Sequence, residues 1–429
     1  MDRGGGVGSE RKPTPGRLDA QQAADRLGIK VESLYAYVSR GLIASERAVD
    51  GRSSTFRVDD VERLAARGRP RRSSRGPTVD VSIWTSITEI AGGHLRYRGQ
   101  DAVELSSSAS FEQVAELLWH GRLADEAPTW PIGRDLPFCP VEGRLLDRLR
   151  AAVALDACRP RPDPETGPEG AAELVAEGPG LLATMVDSLV AVSGAVSGAR
   201  VPTLTLADGT TLKRSIAGRL TIGLRGGAPS APIVPAVNSA LVLLADHEMA
   251  SSTFAARVAA SVRADAHAVL SAGMGPVAGP YHGQASRVVR ATLDAAQRTS
   301  PAAVARRLSQ RSGPVAGFGH GLYPHGDPRA TALLEVLFDA VGPTRGRRLV
   351  EEVLGECTEA GVGRPNVDFA LAAMGHIWSM PVDAGEAIFA VARSAGWLAH
   401  GAEEWDRRPV RFRARARYTG SPSTRTGHV

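Results

Sequence analysis

Residues 313–329 read GPVAGFGHGLYPHGDPR, a stretch that sets His320, His325 and Arg329 among glycines and prolines. Glycine and proline favour turns, and a backbone without side chains can come close to a ligand. The stretch therefore predicts either a loop that wraps an anion or a turn-rich connector with solvated charges. Composition alone favours neither interpretation.

Upstream, residues 279–285 read GPYHGQA and lead into a helix that the apolar spacing predicts through Gln297. The positive end of a helix opposes protonation of a nearby imidazole. A neutral His282 at this place can donate a hydrogen bond to a developing enolate. The alternative is that His282 is only a capping or core residue.

Three more polar residues interrupt apolar patterns. Asp368 precedes an apolar run, so it is either a helix N-cap or a general base. His247 lies in residues 245–257, which we interpret as part of a long apolar helix, and Arg393 lies in a second one. Because burying a polar group without a partner is costly, both should have specific partners, and for Arg393 an anion is expected.

Bulk composition limits the class of protein. The chain has 429 residues, 43% hydrophobic and 23% charged, which is typical of a soluble globular protein with more than one domain. The most apolar stretch, residues 181–196, contains Asp187 and is too short to span a bilayer. Three widely spaced cysteines argue against a disulfide scaffold or structural zinc. We expect a cytoplasmic enzyme.

The front of the chain is organised differently. Residues 1–16 predict a disordered lead-in, residues 68–77 a linker, and residues 17–67 two short helices, a turn around Asp50 and a third helix from Val58. This order indicates a winged helix-turn-helix. Residues 1–77 carry 16 Lys and Arg against 10 Asp and Glu, so the excess positive charge of the chain lies here.

Taken together and in order, the segments from about Ser82 to Gly420 resemble the citrate synthase family. The match begins with residues 86–88, 97–99 and 111–123, which resemble the N-terminal helices of the family. The resemblance implies a mainly α, two-domain helical fold. The large domain would comprise residues 78–279 and 376–429, and a small domain of residues 280–375 would close over the substrates.

The resemblance also implies the roles of individual residues. Asp368 would remove a proton from the acyl-CoA, His282 would stabilise the enol, and His320 would polarise the oxaloacetate carbonyl. Oxaloacetate would be held by a set of cationic or hydrogen-bonding residues: His247, Arg329, Arg393 and Arg413. The family supplies the last arginine from the other subunit, so a homodimer is implied. No cofactor is expected, because the CoA thioester is itself a substrate.

The sequence departs from the family at the CoA-binding positions. Gly321 and Pro324 stand where an arginine and a lysine are usual, Gln284 replaces a common glycine, and Ala414 replaces a proline. The main prediction is acetyl-CoA condensing to citrate. Two alternatives remain: a 2-methylcitrate synthase that uses propionyl-CoA, and a non-catalytic sensor that regulates DNA through the front module.

The front module resembles MerR-like or excisionase-like winged helices, with residues 31–40 as the recognition helix. Binding to double-stranded DNA would use groups that reach the groove or the phosphates: Ser33, Tyr35, Arg40, Arg47, Arg52 and Arg57. The alternative is a solvated or protein-interaction module without DNA binding.

Overall fold

The structure is a computed structural model. It describes residues 17–27, 29–47, 53–65, 81–140, 142–159, 170–192, 204–206, 209, 211–212, 214–226 and 232–414. The predicted lead-in and the predicted linker lie outside them. Internal contacts divide the chain into two units, residues 1–82 and 83–429. Each unit is described by itself.

The N-terminal unit combines three helices with a small antiparallel sheet. Its elements are β1 (Arg17–Asp19), α1 (Ala20–Leu27), α2 (Val31–Ser39), β2 (Glu46–Arg47), β3 (Ser54–Arg57) and α3 (Val58–Ala65). The strand order is β1-β3-β2. Leu18, Leu34 and Phe56 are buried between helices and sheet. Leu18 lies in β1, where it pairs with Phe56 across the sheet.

The second unit is built mainly from helices, which confirms the predicted fold class. They are α4 (Ala102–Ser108), α5 (Phe111–His120), α6 (Leu145–Ala157), α7 (Ala171–Ala176), α8 (Gly178–Val192), α9 (Ile216–Arg225), α10 (Ile233–Leu244), α11 (Ser251–Ser261), α12 (Ala266–Val277), α13 (Ala285–Arg298), α14 (Pro301–Ser309), α15 (Pro328–Val341), α16 (Arg345–Glu359), α17 (Val367–Ile377) and α18 (Ala384–Trp405). The division into a large and a small domain stays a prediction, because contacts group residues 83–429 together.

Short strands accompany these helices. They are β4 (Thr88–Ala91), β5 (His94–Tyr97), β6 (Gln100–Asp101), β7 (Leu204–Thr205) and β8 (Thr211–Leu212). Thr88 and Tyr97 face each other in the β4–β5 hairpin. The interpretation of residues 86–88 and 97–99 as helices was therefore wrong. Gly92 and Gly93, both at positive φ, form the tight turn that makes the hairpin possible.

Helix α18 organises the core of this unit. It is 22 residues long, is buried over most of its length, and packs against α10, α11 and α12. Trp397 is fully buried against Gly273 of α12, where even a Cβ would overlap the indole ring. A polar residue on α18 is therefore held in a fixed position by close packing on several sides.

The predicted long helix around His247 is broken. Helix α10 ends at Leu244 and α11 begins at Ser251, with Glu248 between them at φ 51°. A non-glycine residue at positive φ is uncommon and marks a tight turn. The break places His247 in a connecting segment, where its ring can turn towards the loop of residues 313–329.

One apolar stretch resembles a membrane span by length and composition. It covers residues 171–191, and 61% of its most apolar window is buried inside the protein. The stretch is divided between α7 and α8. Burial of this kind is typical of a core helix.

Candidate active site

Three hydrogen bonds join Gly317 and Gly319 of the glycine-rich loop to the residues just before α17. Gly319 N donates to Arg364 O at 2.8 Å, Asn366 N donates to Gly317 O at 2.9 Å, and Asn366 Nδ2 donates to Gly319 O at 2.9 Å. Gly317 has φ +84°, and a Cβ there would overlap Val289. Glycine is therefore required, and the loop brings His320 to the end of α17 that carries Asp368.

Asp368 is the second residue of α17 and not its cap. Asn366 is the N-cap, and its Oδ1 accepts from Asp368 N at 3.1 Å. The N-cap interpretation of Asp368 was therefore wrong. Burial raises the pKa of the Asp368 carboxyl to about 6, although the Arg329 charge opposes the rise. A carboxylate of this kind is ionised at neutral pH and is basic enough to take a proton.

His320 and His247 lie together with Tyr323. The ring centroids of His247 and His320 are 5.2 Å apart, and those of His320 and Tyr323 are 4.9 Å apart. Leu322 N donates to His320 Nδ1 at 3.1 Å. Burial and the Arg329 charge lower the pKa of His320, so the ring is neutral and its proton is on Nε2. That N–H can donate to a substrate carbonyl.

The expected partner of His247 is Tyr323. His247 Nε2 lies 3.1 Å from Tyr323 Oη. Burial and the charges of Arg329 and Arg393 lower the pKa of His247 well below its usual value, and burial raises that of Tyr323 to about 12. Both groups are therefore neutral at pH 7, and they can form a hydrogen bond without charging the cavity.

Arg329 is buried and already has an anionic partner. Its Nε and a terminal nitrogen each donate to Asp327 at 2.9 Å. Asp327 Oδ2 also accepts from Val367 N at 3.0 Å. Asp327 therefore connects the starts of α15 and α17 and partly neutralises the Arg329 charge. Arg329 also lies over the Tyr323 ring, 5.3 Å from its centroid.

His282 and Arg393 both contact the aromatic ring of Phe389. The His282 ring lies 5.3 Å from that of Phe389, and the Arg393 guanidinium lies 4.6 Å from the same centroid. His282 Nε2 is 2.8 Å from Ser252 Oγ. Burial and the Arg393 charge lower the pKa of His282 to about 4, so this imidazole is neutral as well.

Arg393 is 1% exposed and is fixed by a hydrogen bond from its Nε to Leu244 O at 2.9 Å. Burial lowers the pKa of Arg393, and the largest opposing influence is the negative charge of Asp246. The anion predicted near this arginine is therefore Asp246, which acts on it through charge. The hydrogen bond of Arg393 is made instead to the carbonyl of Leu244. Two buried guanidiniums, Arg329 and Arg393, act on the same imidazole of His247.

Contacts and charge interactions connect six of the seven residues predicted for catalysis and oxaloacetate binding: His247, His282, His320, Arg329, Asp368 and Arg393. Arg413 is exposed in the extended segment after α18. Within the described residues, no hydrogen bond or ion pair joins it to the other six. Metal-binding groups of three or more His, Cys, Asp or Glu are likewise absent from the described residues.

Three residues of this site were not predicted from sequence: Ser252, Tyr323 and Asp327. Tyr323 and Asp327 lie in the same loop as His320, so their closeness to His320 in the sequence could have indicated that they belong to the site. Ser252 gave no signal, because its contact with His282 joins residues 30 positions apart.

Comparison with known proteins gives a consistent result. A family model described as "Citrate synthase, C-terminal domain" matches residues 79–415. Citrate synthase 2 of Bacillus subtilis is 30% identical over 81% of this chain and 96% of its own length. Citrate synthase of Haloferax volcanii is 31% identical over 82% and 96%. A 2-methylcitrate synthase of Corynebacterium glutamicum is 28% identical over 79% and 93%.

Among solved structures, the fold is similar to that of the citrate synthase of Thermoplasma acidophilum in a ternary complex with carboxymethyl coenzyme A and oxaloacetate. The TM-score is 0.63 at 24% identity, and the match covers 82% of this chain and 97% of that one.

Proposed function

Because the chain belongs to the citrate synthase family, we propose that it is an acyltransferase that condenses oxaloacetate with acetyl-CoA and hydrolyses the product to citrate and CoA. The observation that supports this most strongly is the setting of Asp368. A carboxylate with a raised pKa shares one cluster with neutral imidazoles and two buried guanidiniums. We propose the cytoplasm as its location.

In the first step Asp368 takes a proton from the methyl group of acetyl-CoA. Negative charge then develops on the thioester oxygen. His282 donates a hydrogen bond to this oxygen, because its imidazole is neutral and retains one N–H. Ser252, at 2.8 Å from Nε2, orients the ring.

In the second step the enol carbon attacks the keto carbon of oxaloacetate. His320 donates its Nε2 proton to the keto oxygen as the carbon–carbon bond forms. Water then cleaves the thioester of the bound product, which leaves a carboxylate and free CoA thiol. The whole sequence needs no redox or metal chemistry.

Oxaloacetate is a dianion, and the proposed clamp consists of His247, Arg329 and Arg393. A guanidinium binds a carboxylate through two parallel hydrogen bonds, which neutralise the carboxylate charge and also fix its orientation. Arg413 would complete the clamp from a second copy of the chain, so the active form would be a homodimer. Its exposed position in a single chain is consistent with a role in another subunit.

Release of free thiol from acetyl-CoA tests this function. Full-length protein is mixed with oxaloacetate and either acetyl-CoA or propionyl-CoA. We expect rapid, oxaloacetate-dependent release from acetyl-CoA. One methylene changes binding only modestly, so both thioesters can react. Faster release from propionyl-CoA would favour the 2-methylcitrate synthase. Background rates with both thioesters would favour the non-catalytic sensor.

We also propose that the N-terminal unit binds duplex DNA as a winged helix-turn-helix. The supporting observation is that predicted contact residues lie exposed on α2 and the adjoining strands: Ser33, Tyr35, Arg40, Arg47 and Arg57. Arg52 lies outside the described residues. Arg57 is 3.8 Å from Asp59, a contact weak enough to be exchanged for a phosphate.

A gel-shift assay with full-length protein and mixed-sequence duplexes tests the DNA proposal. We expect binding that weakens steeply with salt, as phosphate contacts require. Arg40→Glu should abolish the shift, whereas Arg306→Glu on the exposed side of α14 should not. A protein that gives no shift at low salt contradicts the proposal.

A further inference from the structure

Directly behind the proposed oxaloacetate clamp lies a chain of buried polar groups that the mechanism does not use. It begins at Asp246, which immediately precedes His247 and is fully buried. Asp246 Oδ2 accepts from Thr88 Oγ1 and lies 3.1 Å from His400 Nε2. Its main-chain oxygen accepts from Tyr97 Oη at 3.1 Å. The peptide that carries His247 is therefore held from two sides.

His400 connects this carboxylate to a buried arginine. His400 Nδ1 lies 2.8 Å from a terminal nitrogen of Arg257. Because a guanidinium only donates, Nδ1 must accept, and the His400 proton must be on Nε2, directed at Asp246. The tautomer of His400 is thus fixed by its two neighbours, and each bond has one possible direction.

Arg257 continues the chain to the C-terminal segment. Its Nε donates to Glu404 at 2.9 Å, and a terminal nitrogen donates to Glu403 at 2.7 Å. Glu404 is fully buried and also accepts two bonds from Arg411, at 2.8 and 2.7 Å. Phe412 then packs edge-on against Phe254 of α11, with ring centroids 5.1 Å apart.

Close packing restricts Asp246 at the buried end of this chain of polar groups. Gly396 lies on α18 beside Asp246, and a Cβ there would overlap both Asp246 Oδ1 and Ala245 O. Oδ1 has no hydrogen-bond partner among the described residues. The negative charge of Asp246 also acts on Arg393, which lies on α18 three residues before Gly396. A buried carboxylate near a substrate-binding guanidinium offsets part of the positive charge of that guanidinium.

We propose that Asp246 and His400 are positioning residues for oxaloacetate binding, and that the chain Asp246–His400–Arg257–Glu404–Arg411 fixes the His247 turn and the segment carrying Arg413 as one unit. This inference rests on the proposed function. It adds that groups which do not touch oxaloacetate hold the oxaloacetate-binding side chains in position. Loss of this chain of polar groups should therefore weaken oxaloacetate binding more than it slows the chemistry.

The test compares kinetic constants of full-length variants. His400→Leu removes both bonds of the imidazole, and we expect the KM for oxaloacetate to rise about tenfold, the effect of losing one strong buried hydrogen bond. The KM for acetyl-CoA should stay the same, and kcat should fall less. His400→Gln should recover part of the affinity, because an amide can donate and accept at once. A merely structural role would lower the active fraction without changing KM.

Arg411→Ala provides an independent test at the partly exposed end of the chain, where folding is less at risk. We expect a smaller rise in the KM for oxaloacetate, and no change in Arg408→Ala, an exposed neighbour in the same segment. If His400→Leu does not fold, Arg411→Ala decides the question alone. An active wild type with an unchanged KM in these variants overturns the inference. An inactive wild type instead overturns the proposed function.

Discussion

The two sides of the proposed site are built in different ways. On the keto-acid side, His247, Arg329 and Arg393 are 8%, 3% and 1% exposed, and each has a defined hydrogen-bond partner. On the thioester side, Gly321 and Pro324 lie exposed in the loop. Fixed charges in a buried setting suit a small dianion, because they need no reorganisation when it binds.

The thioester side depends instead on a surface that can adapt. CoA is large and flexible, and the loop offers it exposed backbone around Gly319 and Gly321 and no cation at positions 321 and 324. Specificity for the keto acid is therefore built into the core, while affinity for the thioester can change through exposed positions.

Asp368→Asn should have the largest effect. The substitution keeps the size of the side chain but removes the base, and we expect kcat to fall by at least about 10²–10⁴-fold. Oxaloacetate affinity, measured by calorimetry, should remain close to that of the wild type. Asp339→Asn, on the exposed side of α15, is the matched control. A variant that keeps more than a tenth of wild-type turnover removes Asp368 from the mechanism.

Arg393→Lys should weaken the keto-acid side without removing its charge. A lysine cannot reproduce the two-pronged guanidinium or the bond to Leu244 O. We expect the KM for oxaloacetate to rise about tenfold, equivalent to ~1.4 kcal/mol. Arg306→Lys is the control, since that arginine is exposed on α14. A change in the KM for acetyl-CoA alone would contradict the assignment.

The value of kcat/KM should decline at acidic pH as a single group becomes protonated. The pKa of Asp368 is about 6, and only the ionised carboxylate can take the proton. Thus kcat/KM should be constant above pH 7 and should fall about tenfold per pH unit well below 6. Melting curves at each pH separate this loss from unfolding. A profile that stays flat down to pH 5 would show that another group is the base.

The double substitution Gly321→Arg with Pro324→Lys should strengthen the thioester side slightly. Gly321 has open space around it, so a side chain fits. Exposed ion pairs contribute about 0–1 kcal/mol, and we therefore expect the KM for acetyl-CoA to fall no more than about fivefold. The KM for oxaloacetate should not change. Gly355→Arg adds a charge on exposed α16 as a control; an equal effect there would mean that the charge acts nonspecifically.

The sequence predicted the local parts of this molecule well. The helix after His282 and the helix that starts beside Asp368 both follow from apolar spacing. These features depend on residues that are close together in the chain. Local pattern was therefore enough to find them.

The sequence did not predict features that depend on distant residues. The break at residues 245–250 depends on Tyr97 and Thr88 of the β4–β5 hairpin, which hold Asp246 from about 150 positions away. The pairing of Arg329 with Asp327 was also missed, because an Asp-Pro-Arg pattern does not show which way the guanidinium turns. Tertiary contacts decide both, and single-sequence periodicity carries no record of them.

The most direct test of the contrast between the two sides is calorimetry of each substrate alone with the full-length protein. We predict that oxaloacetate binds by itself, because its charged partners are already in place. We also predict that acetyl-CoA binds much more weakly until oxaloacetate is present. Tight binding of acetyl-CoA alone, with oxaloacetate binding only afterwards, would show that the keto-acid side is not preformed.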